Sequence, residues 1–118
     1  MKAFNKARWF TIALTSGVLF SGTLAQAAIT ENPVGYVTRI YTYTDYGTGD
    51  VVFEVQNPPA ACANGFWVRM SDVGAKSTYA YIMLAYSMQT PLRIGAYDTD
   101  IWPGSGGKYC RLYFAGTP

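Results

Sequence analysis

The chain has 118 residues, half of them hydrophobic and 16% aromatic, with no histidine and a formal charge of +2. The positive excess belongs to the N-terminus: beyond residue 27, six basic residues stand against seven acidic ones, a net −1, so charge gives no argument for nucleic acid as a partner. Without histidine the chain lacks the usual general base and the commonest metal ligand.

Residues 1–27 carry the three parts of a secretory signal. Lys2, Lys6 and Arg8 make a positive start, Trp9 to Leu19 is mostly apolar, and Ala25-Gln26-Ala27 places small residues where a signal peptidase reads. The apolar run is short for a membrane anchor and is interrupted by Ser, Thr and Gly. The expected product is therefore one domain, residues 28–118, secreted or periplasmic, with no membrane span after cleavage. A domain this small gains from a covalent staple. Cys62 and Cys110 are the only cysteines, and an oxidising compartment favours a disulfide between them over two buried thiols.

In chain order, Ala28 to Pro33 reads as an irregular lead-in. Tyr36 to Thr44 is almost all strand formers, and Asp45 to Asp50 is a turn whose glycines are free to take positive φ. Val51 to Gln56 returns as a second strand with Val51, Phe53 and Val55 on one face, completing a hairpin that Asn57-Pro58-Pro59 ends. Phe66 to Met70 is a third strand, with Phe66, Val68 and Met70 inward and Trp67 and Arg69 outward. Ser71-Asp72 supplies an N-cap for a helix from Ala75 to Gln89, which Pro91 stops.

After the helix, Leu92, Ile94 and Ala96 alternate with Arg93, Gly95 and Tyr97. A loop from Asp98 to Gly107 carries Trp102. The fifth strand, Tyr109 to Phe114, puts Cys110, Leu112 and Phe114 on one face and Tyr109, Arg111 and Tyr113 on the other. The fold class expected is mainly β with one helix: three strands, the helix, then two strands, which is the order of a small five-stranded OB-like barrel. An open α+β sheet with the helix across one face is the alternative.

The helix is apolar on two sides. Tyr79, Ile82, Met83 and Tyr86 form one stripe, while Tyr81, Leu84 and Met88 form another almost opposite. Either a loop covers the second stripe or Tyr81, Leu84 and Met88 form a homo-oligomer interface.

No catalytic residue, metal site or cofactor is expected. Asp98 and Asp100 lack the ligand count of a calcium loop, and Gly104-Ser105-Gly106-Gly107 lacks the Lys-Ser/Thr and helix of a phosphate-binding loop. No two of the acids are placed at a glycosidase separation by the sequence. The outward strand faces instead pair flat rings with guanidinium groups. Arg39, Tyr41, Tyr43, Trp67, Arg69, Arg93, Tyr97 and Arg111, together with Trp102 in the loop, make up a candidate binding surface. Its structural alternative is that Arg stems and Tyr rings cover a small barrel while their polar tips meet water.

Cys62, Trp67 after Asn64, Ser71, the Tyr86-bearing helix leading to Pro91-x-Arg93-Ile94, and Trp102 resemble the B-subunits of subtilase- and pertussis-type AB5 toxins. The resemblance implies a secreted OB-fold, a pentamer and glycan ligands, often sialylated. It covers less than half of residues 28–118, and two cysteines do not reproduce the toxin subunits' disulfide arrangement. The expected function is a secreted, non-enzymatic binding module for glycans. The alternative is a periplasmic or cell-surface structural domain that binds another secreted protein.

Overall fold

The computed structural model describes residues 28–118; the expected signal peptide, residues 1–27, lies outside the described residues. The chain forms β1 (Ile29–Gly35), β2 (Val37–Thr42), β3 (Val51–Val55), a short 3-10 turn (Ala60–Cys62), β4 (Gly65–Val68), α1 (Ala75–Met88), β5 (Leu92–Ile101) and β6 (Tyr109–Gly116). The domain is thus mainly β with one helix, as expected. It has six strands, and the ladders run β1-β5-β6-β4-β3-β2.

Two expectations are corrected here. The lead-in is strand β1, paired antiparallel with β5 from Ile29↔Tyr97 to Gly35↔Leu92. Thr30-Glu31-Asn32-Pro33 is a weak strand sequence, and the ladder comes from the tertiary partner. The hydrogen-bonded order also does not close into a barrel, because its two end strands, β1 and β2, form no ladder with each other. They are nevertheless successive in the chain, with Tyr36 alone between them. All ladders are antiparallel except β4 with β6.

One face of the sheet and α1 enclose the main core, which includes Phe53, Phe66, Ile82, Leu92, Ile94 and the Cys62–Cys110 pair, all fully buried. The expected disulfide is present, with Cα atoms 5.3 Å apart, tying the 3-10 turn to β6. Alternation holds through Leu112 and then breaks. A bulge opposite Gly95 and Ala96 shifts the register of β6, so Phe114 pairs with Gly95 and lies against it instead of continuing the core face of Cys110 and Leu112. A Cβ at Gly95 would collide with the Phe114 ring, so any larger residue there has to displace that ring.

The helix spans its expected range but not by its expected cap. Gly74 is the N-cap and makes no side-chain bond, while Gln89 ends the helix in the left-handed conformation. Ala75, Ile82 and Ala85 are its buried positions, with Tyr79 and Tyr81 packed at the margin of the core. This rotates the expected faces. Tyr81, expected on the outer stripe, is partly buried against the core, whereas Tyr86, expected on the inner one, is exposed. The reason is size: small residues at Ala75 and Ala85 let the helix backbone approach the sheet, and large side chains flank them. Leu84 and Met88 do face outward, 54% and 62% exposed.

Candidate functional site

The outer face of the sheet is organised by register. Tyr41 pairs with Val52, Val52 with Trp67, Trp67 with Arg111, Arg111 with Tyr97, and Tyr97 with Ile29. Four of the predicted surface residues, Tyr41, Trp67, Arg111 and Tyr97, therefore share one row across the sheet. Neighbouring side chains on such a row are within interaction distance.

The middle of the row is roofed. Trp67 points away from the main core, as its alternation predicts, but it is only 5% exposed. The loop after β5 folds Trp102 over it, and Val52, Trp67 and Trp102 form a second hydrophobic cluster flanked by Tyr109. Both indole nitrogens find acceptors: Trp67 Nε1 donates to the Asp100 carbonyl (3.2 Å), and Trp102 Nε1 donates to the buried Asp50 carboxylate (3.0 Å). Asp50 also accepts from the Thr48 hydroxyl (3.1 Å), which holds the hairpin turn against the loop. Trp102 itself is 4% exposed, and a Cβ at Gly104 would collide with its ring. Trp67 and Trp102 are thus a floor for the surface, and neither ring is open to a ligand.

That roof divides the face in two. On the hairpin side, the exposed rings of Tyr43 and Tyr46 pack on Trp102 at 5.0 and 5.4 Å between centroids, with exposed Tyr41 near the end of β2, two residues before Tyr43. Arg39 reaches the Tyr41 hydroxyl at 3.5 Å and Glu54 at 3.9 Å. Tyr109 donates to Glu54 at 3.4 Å; its burial first, and then the Glu54 charge and hydrogen bond, push its phenol above the ordinary tyrosine range.

The other side is concave. A groove of about 360 Å3 lies between β6 and the start of α1, lined among others by Asp72, Thr78, Tyr97, Arg111 and Tyr113. Arg111 sits over the Tyr97 ring, 4.5 Å from the guanidinium carbon to the ring centroid. Its Nε donates to Asp100 and its Nη1 to Asp72 (3.2 Å), while Asp72 also accepts from Arg69 Nε (2.9 Å). Burial lowers the Arg111 pKa, but the bond and charge of Asp100, then those of Asp72, outweigh it and leave the net shift upward. Arg111 is a permanent cation here, held flat and aimed. Tyr113 packs edge-on to Tyr97 (5.3 Å) and is 56% exposed.

Of the predicted binding residues, the groove collects Tyr97 and Arg111, with Arg69 tied to it through Asp72. Arg39, Tyr41 and Tyr43 form the hairpin surface. Arg93 belongs to a third place, paired with Glu31 at 2.7 Å and 5.9 Å from the Phe114 ring centroid. Sequence reasoning missed Asp72, read as a helix cap, as well as Thr78 and Tyr46. Asp72 had a signal: an acid three residues after Arg69 in a turn is positioned to pair with it.

Among the described residues, no group of three or more acidic or cysteine side chains is arranged to hold a metal ion, and no helix is long and apolar enough to cross a membrane. No family model, curated protein or solved structure matches the chain.

Proposed function

We propose that this protein is an exported, non-enzymatic binding module that recognises glycans through the arginine–aromatic face of its sheet. The observation that carries this reading is the groove, where the Arg111–Tyr97 stack, the open Tyr113 ring, the Asp72 carboxylate and the Thr78 side chain line one cavity. Flat rings suit the C–H faces of a sugar, and fixed planar polar groups suit its paired hydroxyls. The Cys62–Cys110 bond is the chemistry of an oxidising compartment and supports secretion or residence in a periplasm.

The B-subunit resemblance extends the proposal to a homo-oligomer. What favours that physically is the outer face of α1, where Ala80, Leu84 and Met88 recur at helical spacing and are exposed. The second reading, a domain that binds another secreted protein, is favoured by the hairpin surface, because Tyr41, Tyr43 and Tyr46 present exposed rings side by side. A glycan array probed with the purified protein tests the first reading. Binding that Tyr113→Ala removes without moving the melting temperature is expected; an array with no bound glycan would sink it.

A further inference from the structure

We infer that the groove beside α1 selects uncharged sugars, so that a sialic acid or sulfate on the ligand is not what the protein reads. This rests on the glycan reading above and adds the ligand's charge class. The starting observation is that every arginine among the described residues already faces a carboxylate: Arg39 with Glu54, Arg69 with Asp72, Arg93 with Glu31, and Arg111 with both Asp72 and Asp100. The groove's lining holds one cation and one anion, Arg111 and Asp72, which pair with each other and with Asp100 and Arg69 beside it, and of the described lysines neither Lys76 nor Lys108 lines it.

An incoming anion that competes for Arg111 Nε or Nη1 would displace Asp100 or Asp72, and one that binds the remaining Nη2 would meet a guanidinium whose charge two carboxylates already offset. Displacing Asp100 would leave a partly buried carboxylate without its cation, and displacing Asp72 would leave it with Arg69 alone, in each case beside a second negative charge. A neutral sugar meets no such exchange. Its hydroxyls donate to the remaining lone pairs of Asp72 and accept from Arg111 Nη2, since Nε and Nη1 are the nitrogens taken by carboxylates. Its apolar face has the exposed Tyr113 ring to lie on.

The test is an array on which each neutral glycan is printed beside its sialylated and sulfated forms, probed with the purified protein, followed by titration of the best neutral ligand at rising salt. Neutral glycans are expected to bind, an acidic cap to improve apparent affinity by less than about threefold, and affinity to change little up to about 0.5 M salt. Tyr113→Ala is expected to lose this binding and Tyr46→Ala to keep it; both rings are exposed, so both variants should fold. Binding confined to acidic glycans would overturn the charge class while leaving the glycan reading intact. Loss with Tyr46→Ala but not Tyr113→Ala would move the site to the hairpin and overturn the groove. No binding to any glycan would overturn both this inference and the reading it rests on.

Discussion

Arg111 lies over the ring of Tyr97, 4.5 Å from guanidinium carbon to centroid, while its fork reaches Asp100 and Asp72 from β6. One side chain thereby ties β5, β6 and the segment entering α1 together and defines the wall of the groove. Lysine has neither the planar fork nor the same stacking. Arg111→Lys is expected to cost about 1–2 kcal/mol, reading the pair as partly exposed. Urea unfolding of the two proteins measures it, and unchanged stability would mean that the network is ornamental.

The second hydrophobic cluster predicts a sharp asymmetry between rings on the same face. Trp67→Ala removes a buried indole and is expected to cost about 3–5 kcal/mol. Tyr113→Ala, at an exposed position, should cost under about 1 kcal/mol. Thermal unfolding compares them directly; equal losses would contradict the division of the face into floor and open ring.

The disulfide closes a sequence separation of 48 residues. In the chain-entropy account that is worth about 4 kcal/mol. The Cys62→Ala/Cys110→Ala variant should unfold at correspondingly lower urea, and equal midpoints with and without the bond would contradict this.

Tyr109 supplies a pH dependence. Its folded-state pKa is raised, so folding stabilises the protonated phenol. That contribution is complete below the ordinary tyrosine value of about 10 and is lost as pH rises through the higher folded-state value. Stability of the wild type should therefore fall more steeply above about pH 10 than that of Tyr109→Phe. Parallel curves would place Tyr109 outside the Glu54 network.

The outer face of α1 gives the oligomer its test. Leu84→Asp is expected to disperse an assembled wild type into folded monomers, because Leu84 is exposed and its loss leaves the core intact. Light scattering decides it, and a wild-type monomer at micromolar concentration would remove the oligomer from the account.

Much of this structure was legible in the residues. The hairpin, the helix bounds and the inward set Phe66, Val68, Leu92, Ile94 and Ala96 follow from alternation and turn chemistry. What was not legible came from distant partners. Strand β1 exists because β5 offers it a ladder, Phe114 leaves the core face because of a bulge, and Trp67 is covered by a ring 35 residues later, at Trp102. The helix faces were misread because Ala75 and Ala85 carry little weight in a hydrophobic count yet sit deepest. At the site, ring and guanidinium types were readable from outward positions, but the pairing of Arg111 with Asp72, 39 residues apart, has no periodicity to betray it.

The most direct test of the central claim is a 15N and side-chain NMR titration of the protein with a glycan taken from the array. Shifts concentrated at Thr78, Tyr97, Tyr113 and the Arg111 Nε–H are the predicted result. Shifts confined to the Tyr41–Tyr46 hairpin, with the Arg111 resonance unmoved, would contradict it.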